Sequence, residues 1–228
     1  MNTYELKVIA RIRTDLPDKF GVPRQSGLIP ELRGRIVFES EYRSVDAVRG
    51  LEDFSHLWLV WQFSKAVRDT WSPLVRPPRL GGNEKMGVFA TRSPFRPNAL
   101  GLSSVELEKV ELDKELGPVI HVRGVDMMDG TPIFDIKPYL VYADSHPDAV
   151  GGWTDVVQRR ELNVAFDEEL IKKVPEEQQK ALLAVLRGDP RPRYQDDPQR
   201  IYGMTFAQLN IKFRVEGETL YVVDVEEV

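Results

Sequence analysis

The chain reads as a mainly β protein, a barrel or sandwich over its first two-thirds followed by a small α+β unit. Three observations point there. Short apolar–polar alternations recur between Pro- and Gly-rich turns from Leu6 to Leu140, the pattern of closed or stacked antiparallel sheets. Few helical periods interrupt them. After Tyr142 the composition shifts, and a single helical pattern and a hairpin follow.

Leu6, Val8, Ala10 and Ile12 alternate, as do Ile36 and Phe38, and each set predicts a strand with one apolar face. A short turn is expected near Val45–Arg49. Leu57, Leu59, Trp61 and Phe63 share one face, with Trp58 and Val60 on the other, so this strand is expected to be buried on both sides. Met86, Val88 and Ala90 predict another strand, and more follow over Ser104–Leu112, Val119–Val125 and Pro132–Leu140. Residues 143–153 are rich in turn formers and read as a linker or a closing loop. Pro175 opens a helix through Leu182, Leu183 and Leu186 that Gly188 can end as its C′ residue. Ile211, Phe213 and Val215 then face Leu220, Val222 and Val225 across Glu216-Gly217, a hairpin. The expected division is 1–145 and 146–228.

Composition narrows the classes of function. The net charge of −5 argues against diffuse nucleic-acid affinity. Residues 76–96 nevertheless carry five basic side chains (Arg76, Arg79, Lys85, Arg92 and Arg96) and one acidic one, Glu84, a local charge of +4 that permits a confined basic patch. There is no cysteine, hence no disulfide or thiolate metal site. His56, His121 and His146 lack metal-ligand spacing, and no metal site is expected. No apolar run of about 18 residues is present, and the first residues enter alternation without a signal-peptide core. No membrane span and a cytoplasmic location are expected.

The stretch DMMDGTPIFDIKPY, Asp126 to Tyr139, holds more charge than a strand needs. Its Asp129-Gly130-Thr131-Pro132 turn can expose backbone groups for close ligand approach; the same residues also make a plain hairpin turn. Asp135, Lys137 and Tyr139 share one strand face. They line a pocket, or they form a solvated face with an i,i+2 ion pair. In ATRSPFRPNALG, prolines stiffen a loop whose arginines can grip a carboxylate or phosphate in bidentate fashion. Neither G-x-G-x-x-G nor G-x-x-x-x-G-K-[ST] is present, which disfavours a Rossmann or P-loop nucleotide site.

These two stretches, with VPRQSG (Val22 to Gly27), AVRGLEDFSHLW (Ala47 to Trp58) and DPRPRY (Asp189 to Tyr194), resemble the TsaA-like family, also called TrmO. The resemblance covers nearly the whole chain. It implies a non-Rossmann β-barrel that binds S-adenosylmethionine, a small C-terminal domain, and methylation of the N6 nitrogen of threonylcarbamoyl-adenosine beside the anticodon of tRNA. By resemblance Pro23, Arg24, Gln25, Phe63, Ser64, Arg92, Leu102, Asp129, Gly130, Thr131 and Pro132 hold the donor. Asp135 and Tyr139 are the candidates for removing a proton from the acceptor nitrogen. Arg76, Arg79, Lys85, Arg96, Arg191, Arg193 and Tyr194 are expected to meet RNA, with the tyrosine able to stack on an unpaired base; Asp196 and Asp197 weaken that expectation locally. A homodimer is also expected, with Trp58, Trp61 or Trp71 at its interface. Two other classes remain open at this point: a non-enzymatic barrel that binds a nucleotide-like ligand, and a metal-dependent hydrolase built on the three aspartates.

Overall fold

A computed structural model describes residues 2–80, 84–155, 161–191 and 197–228. Along the chain the strands are β1 (Ala10–Thr14), β2 (Arg33–Phe38), β3 (His56–Gln62), β4 (Leu74–Val75), β5 (Met86–Gly87), β6 (Leu100–Asp113), β7 (Gly117–Arg123) and β8 (Pro132–Pro138), followed by a short helix α1 (Val141–Asp144). Then come β9 (Asn163–Ala165), α2 (Glu168–Ile171), α3 (Glu176–Arg187), β10 (Tyr202–Phe206), β11 (Leu209–Glu216) and β12 (Thr219–Glu227).

Six strands close into an antiparallel barrel in the order β1-β2-β7-β6-β3-β8, and closure removes the unpaired edges that an open sheet would present. Alternation decides which side chains fill it. Ala10 and Ile12 of β1, Ile36 of β2, and Leu57, Leu59 and Trp61 of β3 are buried, together with Val105, Ile120, Val122 and Ile133. Trp58 and Val60 on the other face of β3 are half-buried, so that strand is only partly covered outside. Two bulges, between Val60 and Trp61 against β8 and between Leu107 and Lys109 against β7, bend the sheet as it closes.

Gly101 shows how tightly β6 packs on β3: a Cβ there would lie 2.2 Å from the Trp61 ring. The connection from β7 to β8 crosses one end of the barrel, because these strands sit opposite each other in the ring. Met127, at 1% exposure, plugs that mouth.

The second sheet has the order β10-β11-β12-β9, with β9 parallel to β12 and the other pairs antiparallel. Helix α3 buries Ala181, Leu182, Val185 and Leu186. The loop after β1 carries the core across to this sheet: the Ala207 amide donates to the Asp15 carbonyl, the Gln178 amide donates to the Asp15 carboxylate, and Phe20 stacks on Phe213.

The sequence pattern and the structure part in four places. Leu6 is exposed and β1 begins only at Ala10, since alternation without a neighbouring strand does not make a ladder. Val88–Ala90 is a 3-10 turn, not strand. Gly188 has φ −69° while Asp189 takes the left-handed conformation at φ 53°; the Gly188 amide donates to the Ala184 and Val185 carbonyls. The hairpin turn is Gly217-Glu218, one residue later than expected.

Candidate functional site at the barrel mouth

At the mouth crossed by residues 124–131, a chain of contacts joins four segments of sequence. The rings of Trp61 and Phe63 lie 4.3 Å apart, tilted by 58°. Trp61 Nε1 donates to Ser103 Oγ at 2.9 Å, and Ser103 Oγ donates to Asp126 Oδ1 at 2.6 Å. Ser103 is 1% exposed, so its hydroxyl satisfies the buried Trp61 indole and the half-buried Asp126 carboxyl at once. Burial pushes the Asp126 carboxyl up to about 6, although hydrogen bonds from Ser103, its own amide and the Ser26 amide, and the charge of Arg92, pull it down. The Arg92 guanidinium in turn donates to the Gln25 side-chain oxygen. The loop of Gln25 is held by the Gly27 amide, which donates to the Gly124 carbonyl at 2.8 Å.

Gln25, Phe63 and Arg92 are thus joined at one mouth, with Pro23, Arg24 and Ser64 beside them in sequence. Phe63 is fixed by its amide donating to the Ala99 carbonyl and Ser64 by its amide donating to the Gln62 carbonyl. Leu102 faces outward on β6 and is 57% exposed.

The Asp129–Pro132 turn behaves differently from its sequence reading. Its amides are engaged within the fold: Asp129 donates to the Leu16 carbonyl, Gly130 to that of Ile12 and Thr131 to that of Met128. Asp129 Oδ1 accepts the Thr14 amide at 3.0 Å and Oδ2 accepts from Arg13 at 3.4 Å. The turn thus seals the end of β1, with Thr131 and Pro132 buried, and its backbone N–H groups are not the open ones that the motif suggested. Gly130 sits at φ 73°, a conformation that L residues avoid.

Asp135 and Tyr139 are not brought beside Arg92. Asp135 Oδ2 pairs with Lys137 Nζ at 2.8 Å and borders a cleft of about 320 Å³ with Ile9, Tyr42 and Val48, near the start of β1 rather than its end. Tyr139 packs against His56 and Trp58. The ion pair is the plainer of the two readings of that face. Among the described residues no group of three or more His, Cys, Asp or Glu side chains is placed to hold a metal ion. Asp126, Asp129 and Asp135 do not form such a group.

The expected RNA residues divide. Arg76 and Lys85 are exposed and border a cavity of about 340 Å³ with Ser72, Pro73 and Leu74. Arg96 donates to the Thr91 carbonyl at 3.3 Å. Arg191 departs from the expectation of RNA contact: it is 9% exposed and donates to Asp189 through Nε at 2.8 Å and Nη2 at 3.0 Å, and is therefore built into the fold instead of facing solvent. The Arg79 side chain, and Arg193 and Tyr194, lie outside the described residues. Trp61, at 5% exposure, cannot serve as a surface residue for a dimer. The Trp61–Ser103–Asp126 contacts were not legible in sequence, where a serine on a barrel strand gives no sign of the carboxylate it meets.

Gln25, Arg92 and Asp126 thus place an amide, a guanidinium and a carboxyl at one mouth of a closed antiparallel barrel. Comparison with known proteins identifies the family. The family model for the tRNA-methyltransferase O N-terminal domain matches residues 11–145, and that for the TrmO C-terminal domain matches residues 159–228. The chain belongs to the TrmO family. It is 40% identical over 234 residues to the tRNA (adenine(37)-N6)-methyltransferase of Escherichia coli K12, covering 99% of each chain. A Pseudomonas aeruginosa protein provisionally named S-adenosylmethionine-dependent methyltransferase RcsF is 38% identical, with 98% of each chain covered. A crystal structure of TrmO from P. aeruginosa superposes with a TM-score of 0.81 at 32% identity, over 100% of this chain and 99% of that one.

Proposed function

We propose that the chain transfers a methyl group from S-adenosylmethionine to the N6 nitrogen of threonylcarbamoyl-adenosine next to the anticodon of tRNA. The observation that carries this reading is the Gln25–Arg92 contact beside the half-buried Asp126, in a chain that matches the E. coli adenine-37 N6-methyltransferase end to end. When bound, S-adenosylmethionine supplies an activated methyl group on a sulfonium centre. The side chains suit such a donor. Arg92 complements a carboxylate in two-point geometry, Gln25 offers an amide, and Phe63, backed by the buried Trp61, offers an aromatic wall with a cation–π attraction of about 0.5–2 kcal/mol. Pro23, Arg24, Ser64, Leu102 and the outer edge of the Asp129–Pro132 turn complete the proposed donor site.

A sulfonium leaves as a neutral thioether, so the chain need not protonate it. Its principal contribution is alignment, for which effective molarity provides roughly 7–11 kcal/mol. Of the carboxylates considered, Asp126 is the one beside Arg92, and a pKa pushed up to about 6 makes it a stronger base than an ordinary carboxylate. The base role is therefore proposed for Asp126 in place of Asp135 and Tyr139. Asp135→Asn is expected to leave methylation within a few-fold.

Residues 1–145 are proposed to bind the donor and residues 146–228 to help hold tRNA. Arg76, Arg79, Lys85 and Arg96 would supply phosphate contacts, joined by Arg193 and Tyr194. The reading also includes a homodimer and a cytoplasmic location; no helix among the described residues is long and apolar enough to cross a membrane. Calorimetric titration of S-adenosylmethionine in the presence of a chelator tests the donor site. Saturable binding is expected, and no heat of binding to well-folded protein would refute the assignment. Sedimentation showing a monomer at every concentration would refute the dimer.

A further inference from the structure

We propose that Trp71 and Phe89, with Arg76 and Lys85 flanking the adjoining strands, form a stacking platform for unpaired nucleobases of an RNA loop, an inference that rests on the tRNA reading above. Trp71 is 52% exposed and Phe89 72% exposed, with ring centroids 6.2 Å apart and planes inclined by 30°. Two large rings side by side and open to solvent forgo the stabilisation that burial would give, and such a contiguous patch suits a docking partner.

The backbone beneath them is fixed. β4 pairs with β5, the Val88 amide donates to the Pro73 carbonyl at 2.9 Å, and Val88 is 1% exposed. Trp71 stands two residues before Pro73 and Phe89 directly after Val88, so this bond presents both rings together. Trp153 Nε1 donates to the Ala90 carbonyl at 2.9 Å, holding the far side.

The chemistry around the rings selects nucleic acid over an apolar protein face. Residues 65–98 contain seven basic and two acidic side chains in a chain of net charge −5. Among the described residues, Arg76 and Lys85 have no carboxylate partner, and Arg68 lies 3.6 Å over the ring of Phe95. Aromatic faces interleaved with unpaired cations are the recognition chemistry of single strands: bases stack, and phosphates meet the charges. The platform is also continuous with the mouth of the barrel. Phe89 precedes Arg92 by three residues, a span of at most about 11 Å, so a base stacked there holds the neighbouring nucleotides near the cluster of Gln25, Arg92 and Asp126.

The test uses the full chain, with a short stem-loop RNA and a fully paired duplex carrying the same number of phosphates as probes. Wild type is expected to prefer the stem-loop. Trp71→Ala with Phe89→Ala should weaken stem-loop binding about tenfold or more and leave duplex binding and the salt dependence unchanged, since stacking is lost and phosphate contacts are kept. Trp71→Phe should retain most of the affinity, and S-adenosylmethionine should bind all variants alike. Undiminished stem-loop binding by a folded double variant would overturn the platform. So would conversion of a dimer to a monomer with RNA affinity intact, which would make this face a contact between copies. Failure of wild type to bind or methylate any tRNA is a separate outcome that removes the reading on which the inference rests.

Discussion

Asp126 is the residue on which the site and the stability of the barrel make opposite demands. Its folded pKa, pushed up to about 6 chiefly by burial, exceeds that of the unfolded chain. Stability linked to it is therefore fully present below the unfolded pKa near 4 and lost as pH rises through about 6; ionised Asp126 costs up to about 3 kcal/mol at neutral pH. Asp126→Asn does not titrate, so the variant should gain on wild type between pH 4 and pH 7. Urea midpoints at the two values check this, and a difference that does not vary with pH would rule out burial as the cause. The same variant should lose methylation. Arg92→Ala should weaken donor binding roughly tenfold, as expected for one charged hydrogen bond, and calorimetry at constant ionic strength measures it. The two aspartates that attracted attention alongside Asp126 were legible as surplus charge but not as partners. Which carboxylate is drawn in against Ser103 depends on where the β7–β8 connection crosses the barrel, and no local pattern encodes that crossing.

Elements bring these residues together through close approach. β6 can lie against β3 at Trp61 because residue 101 has no side chain, and Gly101→Ala would push a methyl group into the indole. A loss of about 1–3 kcal/mol or more is expected, with the Trp61–Ser103–Asp126 chain displaced and donor affinity reduced as well. Chemical denaturation and donor titration of the same variant measure both effects; unchanged values would mean that the contact is loose. Gly130→Ala isolates a different cause. A Cβ there would meet only the Arg13 guanidinium, at 3.9 Å, so the cost should be the conformational 1–2 kcal/mol or so of a left-handed residue. Strand positions were readable wherever alternation coincided with a paired neighbour, as in β3, β7 and the β11–β12 hairpin. Leu6–Val8 and Val88–Ala90 alternate equally well, yet the first lies outside the ladders and the second bends into a 3-10 turn.

At the scale of the whole molecule, one apolar core runs from the barrel through Leu16 and Phe20 into the second sheet. Unfolding should accordingly be a single transition, with far-ultraviolet circular dichroism and tryptophan fluorescence changing together; two separated midpoints would show that the sheets fold independently. Charge is distributed at this scale too. With −5 overall and a basic stretch confined to one arm, tRNA affinity should fall as salt rises, with a slope that reflects only a few phosphates. The sequence made that arm visible as charge and the family visible as motifs, whereas the exposure of Trp71 and Phe89 depends on how the arm folds back on itself. The central claim is methyl transfer to a modified adenosine. It is tested most directly by mass spectrometry of nucleosides from tRNA incubated with the protein and isotopically labelled S-adenosylmethionine. One labelled methyl group is expected on threonylcarbamoyl-adenosine and almost none on tRNA lacking that group; equal labelling of both tRNAs, or label on neither, would contradict methyl transfer to the modified base.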